Sequence, residues 1–233
     1  MSYLESYFNR VPRELRKSSA IAYMAAFDHL KTNNPFIIEK IIQELQDQRC
    51  FLKLIASENY CSEAVQLAMG NWLTDKYAEG YPYHRFYAGC DNIDAIEATC
   101  VSEAKTIFQC DHAYVQPHSG ADANLVAFWA VLVARIQNKE VEKLGKKNIN
   151  DLSKEEHEQV RQLLVNQKVL GMSLNSGGHL THGYRHNISA KMMQAFCYEV
   201  DSNTYLLDYK KISEMAKQEK PTILIAGYSA YSR

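Results

Sequence analysis

A run of small residues in the middle of the chain has the composition of an anion-binding turn. It follows an apolar stretch at 113–116 and contains Ser119, Gly120 and Ala121, where the pattern predicts that a helix begins. Unpaired main-chain N–H groups and the helix dipole favour a phosphate at such a terminus, and glycine lets the ligand approach closely. The same residues also suit an ordinary cap in which Ser119 and Asp122 bond reciprocally. From the residues alone, a phosphate site and a structural cap both stay open.

A glycine- and histidine-rich segment at 177–183 is the second candidate. It follows the predicted strand 169–174, and open α/β sheets bind ligands at the carboxyl ends of their strands. There the ring of His179 could stack on a flat cofactor. Together with His182 and His186 it lacks the carboxylate or thiolate ligands that would complete a metal site, so we predict no bound metal. The simpler alternative is that His179 is a hydrogen-bonded loop residue with no role in binding or catalysis.

An aromatic loop at 77–90 is the third candidate. It has neither helical nor strand period, and it surrounds Glu79 with four tyrosines, Tyr77, Tyr81, Tyr83 and Tyr87. A carboxyl group shielded from water by rings keeps its proton to higher pH and can exchange it near neutrality. A solvated glutamate is the alternative. Earlier in the chain, Ser57 and Glu58 offer a hydroxyl and a carboxyl after the apolar run 54–56, and this pattern also fits a simple cap.

The second half of the chain has the alternation of an α/β scaffold that could bring these residues together. Strands are predicted at 113–116, 169–174, 196–200 and 222–226, and helices at 120–136 and 208–219. This order predicts a mainly parallel sheet with flanking helices. The polar interval 137–168 interrupts the pattern and is predicted to be a surface insertion. Its helix should start at a capping box formed by Ser153 and Glu156.

The first half of the chain is predicted to be mainly helical. Asn34 followed by Pro35 is typical of a helix start, and apolar residues then recur at three- and four-residue spacing. Further helices are predicted at 62–73 and after Asp91.

Composition limits the class of partner. The chain of 233 residues carries 26 basic and 27 acidic side chains, a net charge of −1, so no field of one sign draws it to nucleic acid or to a membrane surface. Six cysteines are scattered without a C-x-x-C pair, which fits a reducing compartment. No apolar run suits a signal peptide or a membrane span. We therefore expect a cytoplasmic protein that acts on small molecules.

Seven strings, in order, closely resemble the serine hydroxymethyltransferases, enzymes of the aspartate-aminotransferase-like fold that depend on pyridoxal 5'-phosphate. The strings are LIASEN (54–59), KYAEGYP (76–82), RFYAGC (85–90), QPHSGADAN (116–124), LGMSL (170–174), GGHLTHG (177–183) and AGYSAYSR (226–233). The resemblance implies a mainly parallel α/β fold. It divides the chain into an arm and loop segment at 1–85 and the first part of the large cofactor domain at 86–233.

The resemblance also implies roles for residues that bind the cofactor. Ser119, Gly120 and Ala121 would hold its phosphate, His179 would stack on its pyridine ring, and Ser229 would lie near the ring's polar edge.

Other matched positions are implied to contact the substrates, serine or glycine and tetrahydrofolate. Ser57 would hold the substrate carboxylate, and Phe86, which replaces the family's usual tyrosine, and Leu180 would line the substrate site. Tyr77, Glu79 and Tyr87 would reach into the neighbouring subunit of a homodimer, or of a tetramer. Tyr77 would touch the phosphate there, with Glu79 handling a proton beside the serine hydroxyl.

The implied reaction transfers the hydroxymethyl group of serine to tetrahydrofolate, giving glycine and 5,10-methylenetetrahydrofolate. In the family, the cofactor-binding lysine follows the point that corresponds to Arg233. The resemblance therefore leads us to expect a piece of a protein about twice as long, truncated before that lysine and inactive alone. Two alternatives stay open: folate-independent aldol cleavage or alanine racemisation, and a catalytically dead partner subunit.

Overall fold

The first part of the chain is helical. The structure is a computed structural model that describes residues 1–55 and 57–233, in two units, Met1–Lys76 and Tyr77–Arg233. The first unit contains helices α1 (Tyr3–Arg10), α2 (Ser18–Asn33), α3 (Pro35–Cys50) and α4 (Glu63–Met69). The predicted start of α3 is confirmed, because Asn34 caps it by accepting a hydrogen bond from the Ile37 N–H at 3.2 Å. Helix α4 ends at Met69, four residues earlier than predicted.

The second unit alternates helices and strands. It contains β1 (Gly80–Tyr81), β2 (His84–Arg85), α5 (Asp91–Phe108), α6 (Gly120–Leu132), a π-helical turn (Val133–Gln137), α7 (Asn138–Lys143), α8 (Lys154–Val165), β3 (Lys168–Met172), α9 (Ile188–Met192), β4 (Gln194–Tyr198), α10 (Tyr209–Glu219) and β5 (Ile223–Leu224). Across residues 1–55 and 57–233, no helix has the length and apolar content needed to cross a bilayer.

Strands β3, β4 and β5 form a parallel sheet with β3 in the middle. Leu170 of β3 is in register with Phe196 of β4 and with Leu224 of β5. The predicted parallel arrangement is thereby confirmed for these three strands. A separate antiparallel hairpin joins β1 to β2.

Both faces of β3 are covered, which explains why its sequence is apolar without alternation. On one face Val169 packs with Leu132 of α6 and Val160 of α8, and on the other face Leu170 and Met172 pack with Tyr198. The side chains at 169 and 170 are fully buried. The sheet and α6 therefore share one core.

The prediction of a strand at 113–116 is wrong, because the segment belongs to neither sheet in the described part of the chain. Side-chain contacts hold it instead. The Gln116 amide donates to the Gly80 carbonyl at 2.8 Å and to Glu97 Oε1 at 2.7 Å. This segment thus leads into α6 without belonging to the sheet.

Helix α8 begins as predicted at a capping box between Ser153 and Glu156. Its inner face carries Val160 and Leu164, which are 1% and 7% exposed. The helix therefore contributes to the core while its outer face is polar, and the status of 137–168 as an insertion stays a prediction.

Candidate active site

The N-terminus of α6 is open and supplies free donors. Ser119 caps the helix by accepting a hydrogen bond from the Asp122 N–H at 3.1 Å. Within the described chain, the N–H groups of Gly120 and Ala121 have no acceptor, and the Asp122 carboxylate does not complete the box. Space around Gly120 is free, since an added Cβ would meet nothing within 4 Å. The turn therefore combines a structural cap with two donors that could bind an anion.

The segment 177–183 follows β3 through a short 3-10 turn and lies against the sheet. Gly177 ends that turn with a φ of 101°, a conformation that favours glycine. Gly171 of β3 admits the next turn, because an added Cβ there would lie 2.7 Å from the His182 carbonyl oxygen. The segment is thus seated directly on the central strand.

His179 is exposed at this edge, with its main chain and ring both held by hydrogen bonds. Its Nδ1 accepts from the Thr181 N–H at 3.1 Å, and its own N–H donates to His182 Nδ1 at 3.2 Å. His182 below it is only 8% exposed, and burial, helped by the nearby His179, lowers the pKa of His182. His182 is therefore neutral near pH 7 and accepts at Nδ1.

One side-chain bond joins the two candidate segments. The Asn124 amide of α6 donates to the Thr181 hydroxyl at 2.8 Å. Asn124 lies four residues after Gly120, about 6 Å along the helix axis. The structure therefore brings the Ser119 turn and His179 into one region.

Ser229 reaches the same edge. Its N–H donates to the Gly177 carbonyl at 2.8 Å, and the Ala230 N–H donates to the same oxygen at 3.0 Å. Leu180, 45% exposed, lies in the 3-10 turn after His179. A cleft of about 540 Å³ opens beside these residues, where Leu174, Gly177, Val200 and Tyr231 are among its lining.

The aromatic loop at 77–90 is anchored by a buried ion cluster. The Arg85 side chain is 4% exposed and pairs with Asp94 at 2.7 Å and with Glu97 at 2.6 Å. It also donates to the carbonyls of Ala78 and Gly80 at 2.8 and 3.0 Å. The hydrogen bond from Arg85 is the main cause of the lowered pKa of Asp94.

This cluster places Glu79 and its neighbours at the surface. The Tyr87 hydroxyl lies 3.5 Å from Glu79 Oε2, and the Tyr77 and Tyr87 rings meet edge to face with centroids 5.4 Å apart. Phe86 is 81% exposed. Glu79 itself is exposed, so of the two alternatives for its carboxyl group the structure agrees with the solvated glutamate. Tyr77, Glu79 and Tyr87 nevertheless form one group.

Ser57 belongs to the first unit. It lines a cleft of about 400 Å³ with Lys53, Glu58 and Tyr60, where Lys53 pairs with Glu58 at 3.1 Å. The matched string 54–59 includes position 56, which lies outside the described residues. Ser57 therefore lines the same cleft as the Lys53–Glu58 ion pair.

Four residues that position the candidate side chains were missed in the sequence: Arg85, Gln116, Asn124 and Thr181. Each lies inside one of the matched strings, but as a polar residue without a local pattern of its own. A basic residue between aromatics was the only local signal for Arg85, and its acidic partners follow 9 and 12 residues later.

Comparison with known proteins gives one consistent result. The family model described as "Serine hydroxymethyltransferase" matches residues 30–144 and 148–233. A protein named serine hydroxymethyltransferase from Treponema pallidum is 53% identical over 233 residues, all of this chain and 40% of that protein. A protein of the same name from Chlamydia trachomatis serovar D is 51% identical over 234 residues, covering 47% of its length, and one from Chlamydia pneumoniae is 55% identical over 216 residues, covering 44%. The chain spans somewhat less than half the length of these relatives.

Proposed function

Because the chain belongs to the serine hydroxymethyltransferase family, we propose that it forms part of an enzyme that transfers the hydroxymethyl group of serine to tetrahydrofolate. Glycine and 5,10-methylenetetrahydrofolate are the products. The fold of the whole enzyme is proposed to be the aspartate-aminotransferase-like type. The active assembly is proposed to be a homodimer, or a tetramer built from dimers, in the cytoplasm.

One observation carries the proposal: the open N-terminus of α6 and the exposed His179 ring are tied together at the sheet edge. These residues fit pyridoxal 5'-phosphate, which has a dianionic group and a flat ring. The free N–H groups of Gly120 and Ala121, with the Ser119 hydroxyl, would hold the phosphate. His179 would cover one face of the ring, and Ser229 would lie near its polar edge.

Bound pyridoxal phosphate supplies an electron sink for the negative charge that develops at the substrate Cα. The residues of the chain then have three tasks. Ser57 would hold the substrate carboxylate, in a cleft that also contains the Lys53–Glu58 ion pair. Tyr77 of one subunit would contact the phosphate in the other. Phe86 and Leu180 offer apolar surface for the folate ring system.

Glu79 is the proposed proton-handling group at the serine hydroxyl oxygen. Its exposure within the chain supports a role across a subunit boundary, where a partner could shield it. Tyr87, whose hydroxyl lies 3.5 Å from Glu79 Oε2, would orient the carboxyl group.

Glu79→Gln tests this assignment in the protein at its natural length. The variant should keep its cofactor and lose most folate-dependent serine turnover, because the amide cannot take up or release the proton. Glu142→Gln is the matched control, an exposed glutamate on α7 that should leave turnover unchanged. Assays with and without tetrahydrofolate measure folate-independent cleavage separately. Unchanged folate-dependent turnover in Glu79→Gln would exclude this role for Glu79.

A further inference from the structure

We propose that Asn124 is a positioning residue that acts through Thr181 to set the ring of His179 relative to the N-terminus of α6. The ligand used to test it follows from the proposed function, but the hydrogen-bond path is defined by contacts within the chain alone.

The path has a single consistent direction. The Asn124 amide nitrogen can only donate, so the Thr181 hydroxyl oxygen accepts at 2.8 Å. That hydroxyl lies 2.9 Å from His179 Nδ1 and has its hydrogen left to donate there. The Thr181 N–H donates to the same nitrogen at 3.1 Å. His179 Nδ1 is therefore the acceptor of two donors, and the ring carries its hydrogen on Nε2.

The His179 ring is the part of this turn that the hydrogen bonds from Thr181 hold in place. Thr181 is 2% exposed and His182 is 8% exposed, so the main chain of the turn is fixed by burial. The His179 N–H is held by His182 Nδ1. Rotation of the exposed His179 ring about its side-chain torsions is then limited by the Thr181 hydrogen bonds, which Asn124 orients.

Helix α6 carries both the start of the hydrogen-bond path, at Asn124, and the free N–H donors at its N-terminus. Asn124 and the free donors of Gly120 and Ala121 belong to one rigid helix, about 6 Å apart along its axis. A ligand that carries both a phosphate and an aromatic ring must satisfy the helix terminus and the His179 ring together. A ligand with a phosphate alone uses only the terminus. Asn124 should therefore affect the first kind of ligand and spare the second.

Two probes separate these cases: inorganic phosphate, and pyridoxamine 5'-phosphate, which has no aldehyde and binds without a covalent bond. Affinities are measured by isothermal titration calorimetry in the protein at its natural length. Asn124→Ala and Thr181→Val should each weaken pyridoxamine phosphate roughly three- to tenfold, the size of one or two hydrogen bonds, with phosphate affinity unchanged. Thr181→Ser keeps the hydroxyl and should bind as the unmodified protein does. Asn150→Ala, at an exposed asparagine, is the matched control.

The double variant adds a test of the path itself. If Asn124 acts only through Thr181, the double variant should bind no more weakly than Thr181→Val. Nitrogen NMR of the labelled imidazole rings should show His179 protonated at Nε2 in the unmodified protein. In Thr181→Val the main-chain N–H at 181 still donates to Nδ1, so the tautomer should stay the same while the Nδ1 resonance moves towards that of a less strongly hydrogen-bonded nitrogen. This readout needs no ligand and would not respond to a general loss of stability.

The outcomes decide separate questions. Equal losses for both probes, no loss for either, or an unchanged Nδ1 resonance of His179 in Thr181→Val would overturn the proposed path. Failure of the unmodified protein to bind pyridoxamine phosphate would instead count against the proposed function, and the Nδ1 resonance of His179 in Thr181→Val and in Asn124→Ala would still decide the role of Thr181 and Asn124. Because Asn124 is only half-buried, Asn124→Ala carries the test if the Thr181 variants do not fold.

Discussion

Replacing Gly178 with alanine should displace the His179 turn from the sheet. An added Cβ would lie 2.8 Å from both the Met172 carbonyl carbon and the Ser173 carbonyl oxygen, and closer still to the Met172 carbonyl oxygen. These are main-chain atoms at the end of a buried strand, so they cannot rotate away. The Gly178 N–H also donates to the Ser173 carbonyl at 2.9 Å, which holds the two segments together. The glycine is required by this close approach.

The size of the effect follows from the overlap. Carbon and oxygen atoms pack at about 3.5 Å, so relief of the contacts requires a shift of about 1 Å. Overpacking of this kind costs about 1–3 kcal/mol of unfolding free energy. For domains of 150–250 residues each kcal/mol lowers Tm by about 2–4 °C. A displacement of 1 Å at His179 should reduce kcat/KM by about 100-fold.

Calorimetric unfolding and steady-state serine turnover of Gly178→Ala, in the protein at its natural length, measure both effects, and a pyridoxamine phosphate titration gives the change in affinity. Gly70→Ala is the matched control, because an added Cβ there meets nothing within 4 Å, and its Tm and affinity should not change. If Gly178→Ala kept the Tm and the affinity of the unmodified protein, the close approach of this turn to β3 would be refuted.

Three further perturbations have expected outcomes. Leu132→Ala removes most of a side chain that is 1% exposed and should lower the free energy of unfolding by about 2–5 kcal/mol in urea titrations. A loss below about 1 kcal/mol would contradict the close packing of Leu132, because it would mean that neighbouring side chains fill the cavity. In Arg85→Lys, a single ammonium group replaces a guanidinium that pairs with Asp94 and Glu97 at the same time, so Tm at pH 7 should fall. An unchanged Tm would contradict this pairing. Because burial lowers the pKa of His182, the unfolded chain takes up that proton more readily, and stability should decrease as the pH drops below about 6.5. Unfolding from pH 7.5 to 5.5 should be less pH-dependent in His182→Gln, and superimposable profiles would exclude this linkage.

Elements with a local chemical signal were predictable from the sequence. Asn34 starts α3 because its side chain accepts a hydrogen bond from an otherwise unpaired N–H, and Pro35 has no N–H that would need a partner. Ser153 starts α8 for the same reason. The segment 113–116 shows the limit of this reasoning, since an apolar run becomes a strand only where another strand pairs with it. Here Gln116 bonds to Gly80 and Glu97 instead.

The candidate site also contains some residues that were predictable from a local pattern and others that were not. Ser119 and His179 were found from their motifs, since small residues at a helix start and histidine after a strand are local patterns. Asn124 was not, because its partner Thr181 lies 57 residues away and nothing in either neighbourhood encodes the bond. For Glu79 the residues left a shielded and a solvated carboxyl group as alternatives, because the number of tyrosines near it in sequence does not determine where their rings point.

The carbonyl oxygen of Gly177 accepts from two successive N–H groups, those of Ser229 and Ala230. The loop after β3 and the loop after β5 are therefore joined by two hydrogen bonds at one oxygen atom. Movement of either loop alone would break both hydrogen bonds, which favours a state in which the two loops stay in place together. Binding at this edge should then resemble insertion into a preformed slot, with association rates that depend little on loop motion.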